Sequence, residues 1–414
     1  MGNGLFSVFR LLGGVWMDKS YFGFVNNQCK VEKEEVLDRT HGEICPRLLI
    51  KKLPEETVRM SYVVGEGLRC ENNTTSKNNI LGEFLGLTNG SFSDLKIFME
   101  KYGFLFPLPN EDDYVVVEHQ QIFLIARRLQ ALMILLNYQD LDGVAEDSDV
   151  SICSKLLNAI IDIAFLTTFS LRITDREVVE PYAYPILRTI EGFASFHEIT
   201  STRTIEINGL HTPVFEIADH VVDEGNSTIP YETYNKWIDS DQRSNWAKNV
   251  MRIFVSNYKL QQNHNDQLFI DLLFHLTLDL HVNDPDEFES YDDLESVLED
   301  WISQEDTKLR VKTIKNLSRY FIKTELDHAL EGIRAEYNET KLAPDWKLPS
   351  LYSAIYFSLF YMDSREVMYR KCANPYCQQF FEVYKTNSRK KYCCTACSNA
   401  TTQRRYKKRA RINK

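Results

Sequence analysis

Residues 370–414 read RKCANPYCQQFFEVYKTNSRKKYCCTACSNATTQRRYKKRARINK, and the spacing of the cysteines in this stretch decides how the C-terminal end folds. Cys372, Cys377, Cys393 and Cys397 stand as two close pairs. Two thiolates separated by four residues in a tight turn, then a short span and a second pair, bring four sulfurs around one ion at about 2.3 Å each, the pattern of a structural zinc site. Asn374 and Pro375 favour the chain reversal between the first two cysteines, and Thr386, Asn387 and Ser388 mark a loop between the pairs. Thr395 to Arg411 contains neither Pro nor Gly and predicts a helix, on which Cys393 and Cys397 share a face. Cys394 stands three residues before Cys397 and is the alternative to Cys393. A catalytic zinc usually keeps three protein ligands and an open position, often with His or a carboxylate, and no His occurs after His328.

Charge divides unevenly along the chain. Residues 370–414 hold 13 Lys or Arg against the single acid Glu382, a formal +12, whereas the whole chain carries −11. The preceding 369 residues are therefore at −23. A basic block of this density is an electrostatic footprint for polyanions, and an acidic body confines nucleic-acid contact to that block. In a segment too short and polar for a core of its own, the metal supplies the folding free energy, roughly 10 kcal/mol or more. The helix then projects Arg404, Arg405, Lys408, Arg409 and Arg411 from a rigid base, while Lys385, Arg389, Lys390 and Lys391 add phosphate contacts from the loop. Asn399, Gln403, Arg404 and Arg405 are the candidates for base-edge contacts. The acidic residues between Asp284 and Asp300 carry a further expectation, that they hold the basic tail until a ligand or partner frees it; a solvated helix face is the simpler reading of the same residues.

The run Lys371-Cys372-x4-Cys377, Phe380-Phe381, Arg389-Lys390-Lys391-Tyr392-Cys393, Cys397-Ser398-Asn399 and Arg404-Arg405-Tyr406 resembles the CGNR-type zinc finger of bacterial proteins. The resemblance covers roughly a tenth of the chain. It implies Cys372, Cys377, Cys393 and Cys397 as ligands and a role in stress-responsive transcription regulation. Ser398 stands where the family has Gly and Ala400 where it has Arg, so the role of the signature Arg does not carry over.

Length and composition bound the rest. At 414 residues, with 43% hydrophobic and 26% charged residues, the chain has room for two or three domains and a substantial core. The nine cysteines are odd in number, and Cys29, Cys45, Cys70 and Cys153 are scattered, which suits a reducing compartment. A cytoplasmic protein is expected. Arg10 interrupts the apolar opening Gly4 to Met17 and no small-residue cleavage site follows it. Phe6 occupies the position where a myristoylation signal needs Ser or Thr. Apolar runs such as Leu351 to Met362 fall short of the roughly 20 residues of a membrane span, so no membrane partner is expected.

Three segments are read along the chain. Residues 1–112 are expected to hold mixed short elements. Residues 113–365 read as a helical body, with a hairpin near 203–218 signalled by Asn208-Gly209 between Thr204–Ile207 and Val214–Ile217. Residues 366–414 are the finger with its basic helix. Within the body, Ile122, Ile125, Leu129, Leu132, Met133 and Leu136 recur at helical spacing between Tyr114 and Tyr138, with Arg127 and Arg128 set off that stripe. Leu156, Leu157, Ile160, Ile161 and Ala164 repeat the pattern from Cys153 to Leu171, and the two are expected to be antiparallel helices of a bundle. Helices are also predicted at Tyr231–Leu260, Gln267–Leu280, Leu294–Gln304, Thr307–Glu339 and Tyr352–Met362. The fold class is therefore mainly α with some β: a multi-helical body with a small hairpin, plus a small four-cysteine zinc finger of treble-clef-like type.

Phosphate-loop, dinucleotide, zincin and nucleophile-elbow motifs are missing. His41-x-Glu43 lacks the downstream Pro-Cys-x-x-Cys of the zinc deaminases, and His275, Asp279 and His281 lack a fourth matched ligand. No enzyme is expected. The reading is a zinc-binding, DNA-binding bacterial transcription regulator whose body answers to a ligand or protein partner. DNA stands ahead of RNA as the nucleic acid. The alternative is a zinc-dependent adaptor that binds protein or RNA without reading DNA sequence.

Overall fold

The computed structural model describes residues 20–37, 44–63, 67–71, 79–89, 91–108, 114–138, 146–165, 171–173, 176–179, 199–207, 210–217, 236–244, 247–248, 251, 263–281, 294–304, 307–338, 342–362, 367–377, 379–387 and 389–412. The apolar opening, the His41-x-Glu43 pair, the Asn208-Gly209 turn, most of the helix expected at Tyr231–Leu260 and the acidic run 284–293 lie outside the described residues. The protein is mainly helical with small sheets, and its cysteine cluster sits at the C-terminal end.

The first segment departs from the expected short elements. β1 (Ser20–Leu37) and β2 (Ile44–Val63) pair antiparallel from Ser20↔Val63 to Leu37↔Ile44, with an irregularity at Asn27/Cys29. Alternation is plain where exposed Lys30 stands between buried Cys29 and Val31, and where Leu48, Ile50, Met60 and Tyr62 are buried on β2, but it is lost further along β1, where Lys33 and Glu35, on the face of Cys29 and Val31, are ion-paired with each other at the surface. β3 (Gly67–Cys70) adds to β2. α1 (Ile80–Leu85) follows, then α2 (Phe92–Tyr102), which opens on a capping box. Ser91 Oγ accepts from Asp94 N–H, and the Asp94 carboxylate accepts from Ser91 N–H at 2.7 Å. That backbone bond, with the Ser91 hydroxyl, holds the Asp94 carboxyl below its ordinary range. α2 ends at Gly103 with φ +83°, where a Cβ would lie 2.3 Å from the Asn27 carbonyl. Only glycine lets the chain pass the β1 irregularity so closely.

β4 (Val115–Glu118) joins the sheet beside β2, so the helix expected from Tyr114 begins later, as α3 (His119–Asn137). The β-branched run Val115-Val116-Val117 favours the strand. The predicted stripes are buried on α3 and on α4 (Glu146–Phe165), and the two helices pack together. β5 (Leu171–Ile173) and β6 (Arg176–Val179) complete the sheet, and β7 (Ile199–Ile207) pairs with β8 (Leu210–Ile217) as the predicted hairpin. α5 (His264–Asp279), α6 (Leu294–Ser303) and α7 (Thr307–Ala329) follow. The predicted Thr307–Glu339 helix thus stops ten residues early. Gly332, with φ +82°, turns the chain into the hairpin of β9 (Arg334–Asn338) and β10 (Ala343–Lys347).

Arg127 is exposed as expected, but Arg128 lies in the core at 4% exposure. Its Nε and Nη2 donate to the two carboxylate oxygens of Glu325 on α7 at 2.7 and 2.6 Å, and Nη1 donates to the Ile163 carbonyl of α4 at 3.0 Å. Tyr356 Oη donates to the same carboxylate at 3.0 Å. Burial works against the Arg128 charge, and Glu325 overrides it, raising the guanidinium's pKa.

Tyr356 belongs to α8 (Leu351–Phe360), which is buried on nearly every side and capped by Ser350 Oγ accepting from Ser353 N–H at 3.0 Å. Among the described residues, one apolar core cluster gathers side chains from Phe22 to Tyr369, and a second, small cluster holds Cys372, Phe381 and Val383. None of the described helices is long and apolar enough to cross a membrane.

Candidate metal centre

The chain leaves α8 into a hairpin of β11 (Val367–Lys371) and β12 (Phe380–Tyr384), paired from Val367↔Tyr384 to Lys371↔Phe380. The first cysteine pair sits in the turn between these strands. Cys372 N–H donates to the Gln379 carbonyl at 2.9 Å and closes the hairpin, while Cys377 N–H donates to the Asn374 carbonyl at 2.9 Å and tightens the turn. Ala373 N–H donates to the Lys391 carbonyl at 2.9 Å, which clamps the turn to the segment that enters the second pair. α9 (Thr395–Ile412) starts there, with Ser398 N–H donating to the Cys394 carbonyl at 3.3 Å. A hairpin turn and the first turn of a helix thus face each other across the four thiols.

The sulfurs of Cys372, Cys377, Cys393 and Cys397 all lie within 4.8 Å of one another, the only such group of three or more metal-ligating side chains among the described residues. Cys393 Sγ is 3.5 Å from Cys377 Sγ and 3.5 Å from Cys397 Sγ. Four sulfurs at about 2.3 Å from a tetrahedral ion stand about 3.8 Å apart, so the four donors have the size of such a cage. Cys394 Sγ is 3.8 Å from Cys393 Sγ yet falls outside the group of four. The donor set can hold a metal ion and leaves no open position, which fits a structural role.

The surroundings act unequally on the four thiols. Burial opposes ionisation of Cys372, but the backbone N–H groups of Cys393 and Asn374 aim at its sulfur and bring the thiol below its ordinary value. The Asn374 side chain does the same for Cys397. Burial pushes Cys377 up to about 11, and burial together with the adjoining sulfurs pushes Cys393 up further. Four thiolates at this separation need a cation among them to ionise together.

Asn374 is the residue that turn chemistry alone undersold. It is 6% exposed. Its Oδ1 accepts from Tyr376 N–H at 3.3 Å and from Arg404 Nη1 at 2.8 Å, while its amide faces the Cys397 sulfur. Arg404, expected as a phosphate or base contact, therefore reaches back across α9 to the cysteine turn, with its guanidinium 4.1 Å over the Tyr376 ring. Lys390 lies 5.1 Å over the Phe381 ring. Arg389, Lys390, Lys391, Asn399, Gln403 and Arg405 are exposed and Lys385 is half-buried. Lys408, Arg409 and Arg411 follow on α9, with their side chains outside the described residues.

The hairpin is seated on the body. Asn137 of α3 exchanges two hydrogen bonds with the Tyr369 backbone, Nδ2 to its carbonyl at 3.1 Å and its N–H to Oδ1 at 3.3 Å. Asn79 Nδ2 donates to the buried Tyr369 hydroxyl. Gly82 of α1 lies so close to β12 that a Cβ there would meet the Phe380 carbonyl oxygen at 2.5 Å. The second group weighed in the sequence resolves differently: His275 Nε2 is 3.5 Å from Asp271, and Asp279 accepts from Trp301 Nε1 at 2.8 Å, a structural contact between α5 and α6.

Comparison with models of protein families, with curated proteins and with solved structures finds no match to this chain.

Proposed function

We propose that the chain is a zinc-dependent DNA-binding regulator, bacterial as the CGNR-type resemblance implies, in which an acidic body carries a basic finger. The observation that supports this reading is the convergence of four sulfurs at the base of α9. Zinc is the metal that a closed four-thiolate cage suits, without redox chemistry or a vacant position. With the cage closed, Arg389, Lys391 and Arg405, exposed beside it, stand at fixed positions relative to the helix, and Asn399 and Gln403 offer amides to base edges. The −23 of residues 1–369 repels phosphates everywhere else. The body, seated on the hairpin through Asn79, Gly82 and Asn137, is where a ligand or protein partner would act on the finger.

Metal analysis and DNA titration on the purified full chain test this. One zinc per chain is expected, with Cys393→Ser losing both the metal and duplex binding. Affinity should fall steeply with salt, and Arg405→Gln should lower that slope by about one phosphate contact. Equal affinity and salt slope for the metal-free chain would sink the reading, because an unstructured basic tail would then suffice. Binding to RNA with none to DNA would favour the adaptor.

A further inference from the structure

We propose that Tyr376 and Arg404 form a stacking platform for an unpaired nucleobase, so that the finger engages single-stranded nucleic acid through the cysteine turn as well as phosphates through its basic residues. This rests on the nucleic-acid reading of the finger and adds single-stranded nucleic acid to the duplex that reading gives it.

Tyr376 is 78% exposed, the most exposed of the large hydrophobic side chains of the described residues. An exposed ring contributes little to folding, yet this one is held in place. Its backbone N–H is bonded to Asn374 Oδ1, and its ring is covered at 4.1 Å by the Arg404 guanidinium, which is bonded to the same oxygen. Asn374 is itself buried between the cysteine turn and α9. With a cation over one face, an exposure this high leaves the other face open to solvent.

An aromatic ring fixed on a turn, backed by a guanidinium plane and flanked by cations, is the arrangement by which single-strand binders stack bases without reading sequence. The flanking cations are present. Lys391 is exposed, and its carbonyl is bonded to the Ala373 N–H beside the turn. Arg389 is exposed two residues before it, and Arg405 and Tyr406 are exposed next to Arg404. In a closed duplex both faces of every internal base are covered by their neighbours, so a ring on a turn reaches a base face only where pairing is lost or the strand is single. Single-stranded DNA and RNA share this chemistry.

The zinc-loaded full chain would be titrated with a single-stranded DNA of about 16 nucleotides carrying 2-aminopurine, with RNA of the same sequence, and with the DNA duplex. Stacking should quench the 2-aminopurine emission in the single-stranded arm that supplies the natural ligand, DNA or RNA. Tyr376→Leu should weaken that arm on the order of tenfold and abolish the quenching, with duplex affinity and zinc content unchanged, and Tyr376→Phe should keep both affinity and quenching. Unchanged single-strand affinity in Tyr376→Leu would overturn the proposal, as would an equal loss on single strand and duplex, which a general phosphate or structural role would give. If the unmodified chain bound none of the three, the nucleic-acid reading itself would fall and the platform with it. Duplex binding with an indifferent Tyr376 would remove the platform alone.

Discussion

Among the described residues, side chains from Phe22 to Tyr369 share one apolar core built of strands, helices and the fully buried rings of Phe84, Phe269 and Phe321, whereas the core cluster of the finger holds only Cys372, Phe381 and Val383, rimmed by half-buried Met368, Tyr392 and three more cysteines. The two regions differ in what opposes chain entropy. Ordering a residue costs about 1–2 kcal/mol of backbone entropy, and the body offsets this with apolar area at roughly 25 cal/mol per Å². Three buried side chains cannot do the same for some forty residues. In the finger an ion held by the four sulfurs would take the place of the core. The body should therefore hold its fold whatever the metal supply, while the shape of the basic surface depends on it.

Removing the metal tests that contrast with the largest effect. Chelation, or Cys377→Ser, should release on the order of 10 kcal/mol of folding free energy confined to the finger. Hydrogen exchange should show α9 and the cysteine turn losing protection while α3, α4 and α7 keep theirs. Loss of protection throughout the body would mean that the two regions fold as one unit, and the contrast would fail.

The next effect is specific to the body. Glu325→Gln strands the Arg128 guanidinium, 5% exposed at its side chain, without its bidentate partner. Breaking a buried pair from one side costs about 3–5 kcal/mol, to be read in urea unfolding of the helical signal, with the zinc content untouched. The paired change Arg128→Met with Glu325→Leu should recover most of that loss, since desolvation of both charges disappears together. If Glu325→Gln cost less than about 1 kcal/mol, water would be reaching the pair and the core there would not be closed.

What could be read from the sequence follows the same division. The cage was legible because its chemistry requires fixed residue types at short spacings, and the helices α3 and α4 because a long apolar stripe has one period. The β1–β2 pair was not, because Glu32, Lys33, Glu34 and Glu35 put charge on both faces of the strand beyond Val31, so that the segment reads as a charge run and not as an alternation. Arg128 was misread for a related reason: an isolated charge on a helix looks solvated until its partner, 197 residues away on α7, is in place. The early end of α7 turns on Gly332, and no residue before it signals the hairpin that follows. Asn374 was visible as a turn former, but its bond to Arg404, 30 residues on, depends on the helix returning to the turn, which no local spacing signals.

The smallest effect lies where the two regions meet. Gly82→Ala would place a methyl 2.5 Å from the Phe380 carbonyl oxygen, and the obstacle is backbone rather than a yielding side chain. In an open helix the change would stabilise by about 1 kcal/mol; here overpacking costs about 1–3 kcal/mol, so the two nearly cancel or leave a modest net loss. Stability alone is therefore a poor readout, and the seat is better followed at its own bonds. The Asn137 pair on Tyr369 and the Asn79 contact to its hydroxyl should weaken as β12 is pushed off α1, and the Tyr369 amide should exchange faster. Zinc affinity should stay as it was, because Cys372 and Cys377 belong to the turn between β11 and β12, Cys397 to α9 and Cys393 to the segment just before it. A fall in zinc affinity with Gly82→Ala would show instead that the body helps to shape the cage, and the line between a self-sufficient core and a metal-made finger would have to be drawn on the far side of β12.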